Sequence, residues 1–175
     1  RSVSSTDSTS GSGGAMSQPS TRVIVSPTAT ATTAQPWDDP DLPESERRAL
    51  KLQYFDKHCS RITEFLYVGS QRVALDRQLL KENGITHVVN AAGLTCDSAF
   101  PRDFSYTTFY VADASHTDLL SMLFTVVSVV ERERQRGGRV FVHCHQGVSR
   151  SCSLVIGYVM WAQRQPYQEV YEAVR

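Results

Sequence analysis

From about residue 60 onward the apolar positions follow two rhythms. Short runs rich in β-branched and aromatic residues alternate with longer stretches whose apolar groups stand three or four apart. The short runs are Ile62-Thr63 with Phe65-Leu66-Tyr67-Val68, closed by Gly69-Ser70; Ile85 through Ala91; Tyr106 to Val111; and Arg139-Val140-Phe141-Val142-His143. Runs of this length and composition, bounded by turn residues, predict strands. Between them, residues 73–83 have helical spacing and stop at Gly84. Leu119, Leu123, Val126 and Val130 line one face of a helix expected to reach Arg136 before Gly137-Gly138. Ser151 to Gln163 is apolar on most sides and predicts a core helix, and Pro166 opens one more helix that the chain end cuts at Arg175.

Strands alternating with helices predict an α/β fold: a central, mainly parallel sheet of about five strands with helices on both faces. Ligands of such sheets bind beyond the carboxyl ends of the strands. Asp113 and Cys144 each stand just past a strand end, which puts both on that edge, on strands that can neighbour each other.

Upstream the pattern changes. Residues 1–36 hold 16 Ser or Thr, three Gly, three Pro and only three charged side chains. So little apolar surface cannot offset the entropy of ordering, and residues 1–40 are expected to be a disordered, phosphorylatable tail. Residue 1 is Arg, so the chain is expected to be a fragment or a processed product. Residues 41–56 predict an amphipathic linker helix, with Asp41 as N-cap, Pro43 in the first turn, and Glu44 and Glu46 at the positive helix end. Leu50 and Tyr54 would pack on the domain. The order Arg47-Arg48-Ala49-Leu50-Lys51-Leu52 also resembles the short docking peptides by which regulators bind MAP kinases. Residues 57–175 form the expected folded domain.

The 175 residues carry 18 basic and 18 acidic side chains, a formal net charge of zero, and no apolar run approaches the roughly 18 residues of a membrane span. Neither nucleic acid nor a membrane surface is therefore an expected partner. Four cysteines without paired spacing make no disulfide framework, and free thiols suit a reducing compartment, so a cytoplasmic and also nuclear monomer is expected.

The chemistry concentrates in Val142-His143-Cys144-His145-Gln146-Gly147-Val148-Ser149-Arg150-Ser151. A buried strand leads into Cys144, Gly147 stands inside a tight loop, and a helix starts at Arg150. Such a loop turns successive backbone N–H groups of residues 145–150 inward, and the helix start adds positive potential. Arg150 offers a planar fork matched to two phosphate oxygens. In that field the thiolate of Cys144 is favoured, and it becomes a nucleophile at phosphorus. The departing oxygen needs a proton, for which Asp113 is the candidate; Asp118 sits instead where an N-cap of the next helix belongs, and His116 on an exposed loop reads as solvated.

These residues resemble the cysteine-dependent protein phosphatases of the dual-specificity group. His143-Cys144-x-x-Gly147-x-x-Arg150-Ser151 fits the family signature at each fixed position, and Asp113 to Leu119 fits the spacing of its acid loop. Gly147-Val148-Ser149-Arg150-Ser151, followed by Leu154-Val155-Ile156 and Tyr158, is similar to MAP-kinase phosphatases, and Cys59-Ser60-Arg61 with Gly84-Ile85-Thr86-His87-Val88-Val89-Asn90 to their plant and algal type. The resemblance implies a protein tyrosine phosphatase-like fold and a phosphorylated protein substrate, a MAP kinase. It implies that Cys144 attacks phosphorus, and that Arg150 and the amides of His145, Gln146, Gly147, Val148, Ser149 and Arg150 hold the phosphate. Asp113 would act as acid and then base, and Ser151 would donate to the departing thiolate. No metal or other cofactor is implied. The family's domain continues into a further helix, so the resemblance also implies a domain cut short at its C-terminal end.

Other readings compete. Zinc on His143, Cys144, His145 and Cys152 lacks a second ligand pair, since adjacent strand residues point to opposite faces. A non-catalytic phosphoprotein-binding module would lack the Cys or the Arg. A carbohydrate or RNA phosphatase would need a binding module or a basic surface that is not seen. Cys59, Cys96 or Cys152 could pair with an oxidised Cys144, and Asn90 could bond the site loop or cap its own turn.

Overall fold

The computed structural model describes residues 35–174. The expected tail lies outside them except at 35–40. There Pro36–Asp38 forms a 3-10 turn whose Trp37 meets Tyr54 edge-on, with ring centroids 5.0 Å apart. Helix α1 (Glu44–Phe55) follows. Asp41 is not its N-cap. Its N–H is bound by the Asp39 carboxylate, and Pro43 takes the cap position, its carbonyl receiving the N–H groups of Glu46 and Arg47. Leu50 and Tyr54 are half-buried, but Tyr54 packs on Trp37, Phe55 and His58 rather than on the sheet. Arg48 faces solvent, while half-buried Arg47 donates to the Leu42 carbonyl.

Five strands form one sheet in the order β1-β2-β5-β3-β4: β1 (Ser60–Arg61), β2 (Leu66–Gly69), β3 (His87–Asn90), β4 (Ser105–Thr108) and β5 (Val140–His143). Only β1 is antiparallel. Ile62 and Thr63 are not strand residues: both donate N–H to the Leu66 carbonyl and make the turn that returns the chain to β2. The predicted single helix over 73–83 is two, α2 (Gln71–Ala74) and α3 (Arg77–Glu82). Asp76 separates them because its carboxylate takes the Leu79 N–H and starts the second. The strand expected over 106–111 leaves the ladder earlier, after Phe109 N–H donates to the Asn90 carbonyl.

Helices α4 (Leu119–Gln135), α5 (Arg150–Gln163) and α6 (Tyr167–Val174) complete the domain. Strand side chains alternate, and both faces are buried. Leu66, Val68, Val89, Val140 and Val142 point toward Val126 and Val130 of α4 and Leu154, Val155 and Val159 of α5. Tyr67, Val88 and Phe141 point the other way, onto Val73, Leu80, Ile85 and Phe104. Because β5, β3 and β4 are parallel, their carboxyl ends share one edge, where the functional residues converge.

Candidate active site

Residues 144–149 link central strand β5 to α5, whose first residue is Arg150. Gly147 has φ +78°, and a Cβ there would lie 2.6 Å from the carbonyl carbon of Gly69 and 2.8 Å from the Ser70 nitrogen. A left-handed backbone pressed against a neighbouring turn admits glycine only. The loop is braced on its other flank by Gln71, whose N–H donates to the His145 carbonyl at 3.0 Å and whose side-chain oxygen accepts from His145 Nδ1 at 2.9 Å. The exposed His145 ring thus faces α2 rather than the nucleophile. A cleft of about 490 Å³ opens beside the loop, between α1, α2 and the residues His145 and Gln146.

Cys144 is 1% exposed. Its Sγ receives hydrogen bonds from Ser151 Oγ at 3.2 Å and from Gly147 N–H at 3.3 Å. Burial alone pushes this thiol up. The Ser151 hydroxyl and the N–H groups of Ser151, Gly147 and Ser149 outweigh that, so its pKa lies below the ordinary thiol value. The other three cysteines go the other way. Burial pushes Cys59 and Cys152 up to about 12, the charge of Cys144 adding to the latter, and burial with Asp97 nearby also raises Cys96. Cys152 stays a thiol and donates to the Gly147 carbonyl at 3.0 Å. His143 lies under the nucleophile, stacked on Phe141, with Nδ1 donating to the Cys144 carbonyl at 3.3 Å. Burial, helped by Arg150, lowers its pKa to about 4 and keeps it neutral near pH 7.

Arg150 is buried, with its guanidinium fixed by Nη1 donating at 3.1 Å to the carbonyls of both Ala91 and Val111. Its Nε–H is buried without a partner among the described residues, and Nη2 lies 3.6 Å from Asp113 Oδ2. A buried guanidinium edge left unpaired is costly. An oxyanion held between it and the loop amides resolves that cost. Asp113 also accepts from Ser149 Oγ at 2.8 Å. Its strand β4 does not lie beside β5, because β3 stands between, and residues 109–113 lead from the end of β4 to the loop. Asp118 caps α4 by accepting from Ser121 N–H, and His116 is exposed.

Asn90 serves its own turn, accepting from Ala92 N–H and donating to the Cys96 carbonyl. Among the described residues no group of three or more His, Cys, Asp or Glu is arranged to hold a metal. Sequence reasoning missed Gln71, the carbonyls of Ala91 and Val111, and the Ser149 hydroxyl. Gln71 stands 74 residues from His145, and no local pattern marks it.

A buried thiol of lowered pKa that accepts loop N–H groups, an unpartnered guanidinium Nε–H and a carboxyl group on the rim can together carry out phosphoryl transfer. Comparison with known proteins agrees. Residues 66–175 match the family model for the dual specificity phosphatase catalytic domain. The chain is 43% identical over 125 residues to the Arabidopsis thaliana protein-tyrosine-phosphatase MKP1, covering 71% of this chain and 16% of that protein. It is 35% identical over 130 residues to the dual specificity protein phosphatase 1B of the same plant, covering 74% and 77%. Among solved structures, the human tyrosine phosphatase-like serine/threonine/tyrosine-interacting protein superposes with TM-score 0.59 at 26% identity, covering 62% of this chain and 76% of that one.

Proposed function

Because the chain belongs to the dual-specificity phosphatase family, we propose that it is a protein phosphatase that removes phosphate from tyrosine and from serine or threonine, with an activated MAP kinase as substrate. The observation that carries this reading is the buried Cys144 thiol, hydrogen-bonded by Ser151 and the Gly147 amide beside the unpaired Nε edge of Arg150. The sulfur attacks phosphorus while Asp113 passes its proton to the departing oxygen, so the P–O bond breaks as the S–P bond forms. Water then attacks the cysteinyl phosphate and yields its proton to the Asp113 carboxylate. The thiolate leaves onto the Ser151 hydroxyl, and inorganic phosphate is released. Loop amides and Arg150 offset the charge on the equatorial oxygens throughout.

The MAP-kinase assignment is supported by the likeness of residues 147–158 to MAP-kinase phosphatases and by the identity to the plant phosphatase MKP1. The need for a reduced Cys144 supports work in the cytoplasm and nucleus. The test offers the protein a doubly phosphorylated kinase activation-loop peptide and a small aryl phosphate. Release of both peptide phosphates, abolished by Cys144→Ser, is the expected result. Turnover of the aryl ester alone redirects the assignment to a non-protein substrate. Peptide binding with no phosphate release from either compound replaces it with a binding module.

A further inference from the structure

The carboxyl group of Asp113 is half-exposed, on a rim loop that has already left the sheet. Three contacts tie that loop to the phosphate-binding segment. Arg150 Nη1 donates to the Val111 carbonyl, Arg150 Nη2 stands 3.6 Å from Asp113 Oδ2, and Ser149 Oγ donates to Asp113 Oδ1 at 2.8 Å. They do not survive substrate equally. Nη2 and Nε form the edge that grips a phosphoryl group, so the Arg150–Asp113 pair is exchanged for an Arg150–phosphate pair on binding. Nη1 holds only backbone, two residues upstream of Asp113. The Ser149 hydroxyl is the contact that keeps hold of the carboxyl group itself.

Ser149 also forgoes the ordinary use of a serine at its position. It is the N-cap of α5, where a hydroxyl normally accepts an N–H of the first turn, and no such bond forms. Its backbone carbonyl takes Ser153 N–H, and the side chain is left to Asp113. Because the hydroxyl donates to Oδ1, Oδ2 remains the oxygen that carries the transferable proton. In the resting site Oδ2 is the oxygen turned toward Arg150, and so toward the bound phosphoryl group.

We propose that the Ser149 side chain is the positioning residue of the acid loop, holding Asp113 over the scissile oxygen once phosphate has drawn Arg150 away. This role is separate from that of the Ser149 amide in the phosphate ring, and it rests on the phosphatase reading above. The test compares kcat/KM for a phosphothreonine peptide, whose alkoxide must be protonated as it leaves, with that for p-nitrophenyl phosphate, which needs less help. Removal of a hydrogen bond to a carboxylate should lower the peptide-to-aryl ratio about tenfold or more in Ser149→Ala. Ser149→Thr, which keeps the hydroxyl, should restore the ratio. In an Asp113→Ala background the further change Ser149→Ala should leave the ratio where Asp113→Ala alone put it. A ratio unchanged in Ser149→Ala, or a full additional loss in the double variant, overturns the proposal while the phosphatase reading stands. Failure of the unaltered protein to hydrolyse either ester overturns both.

Discussion

Replacing Ser151 by alanine isolates the contribution of one hydroxyl to the nucleophile. Ser151 is fully buried and its Oγ stands 3.2 Å from Cys144 Sγ. The substitution deletes one donor, adds no bulk and leaves the burial of the sulfur as it was. A hydrogen bond to a charged group contributes about 1.5–3 kcal/mol, which at 1.36 kcal/mol per pKa unit raises the Cys144 pKa by about one to two units. The amides of residue 151, Gly147 and Ser149 keep the remainder of the effect. The assay is the rate of inactivation by iodoacetamide between pH 5 and 9, whose midpoint should move upward by that amount while the circular dichroism spectrum stays the same. Turnover should show a second signature. Thiolate departure from phosphorus becomes the slow step, so rapid mixing with p-nitrophenyl phosphate gives a burst of nitrophenol followed by slow release. An alkylation midpoint that does not move in the folded variant refutes the claim that this hydroxyl helps to hold the thiolate.

Three further outcomes follow from the geometry. Asp113→Asn should lower kcat/KM for a phosphothreonine peptide by about 10²–10⁴, and for p-nitrophenyl phosphate by much less, read as initial rates on the two esters. Gly147→Ala forces a side chain into a left-handed backbone and into the Gly69–Ser70 turn, so it should destabilise the fold by at least about 1–2 kcal/mol in urea unfolding and slow alkylation of Cys144. Burial lowers the His143 pKa from 6.5 to about 4, so between those values the unfolded chain binds a proton that the folded chain does not. Stability should therefore be full above about pH 6.5 and fall, by about 3 kcal/mol at most, as the pH drops to 4, a slope that His143→Asn removes in denaturant titrations.

Much of this molecule is legible from its residues because much of it is local. A strand, a six-residue loop and a helix are contiguous around Cys144 and Arg150, so one stretch of chain specifies nucleophile, amides and guanidinium together. Short β-branched and aromatic runs bounded by turn residues marked the buried strands, and Asp118 was recognisable as a cap from its place before an apolar helix. Misreadings arose where one side chain outweighed the pattern. Asp76 splits an apolar run of helical spacing by capping its second half, and Pro43 displaces Asp41 as the start of α1. Contacts between distant segments were out of reach. The Gln71–His145 brace spans 74 residues and the Ser149–Asp113 bond spans 36, and neither periodicity nor turn chemistry carries information over such separations. Asp113 reaches the loop although β3 separates its strand from β5, because the carboxyl ends of parallel strands share an edge whichever strand lies between.

The opposed environments of the four sulfurs have a practical corollary. A mild electrophile offered in equimolar amount meets one sulfur whose ionisation its surroundings favour, while burial disfavours ionisation of the remaining three. The protein therefore accepts a fluorophore or a cross-linker at one chosen position without any cysteine having to be removed beforehand. Arsenate or vanadate, by occupying the same oxyanion ring, should shield that position and serve as the control for where the tag went.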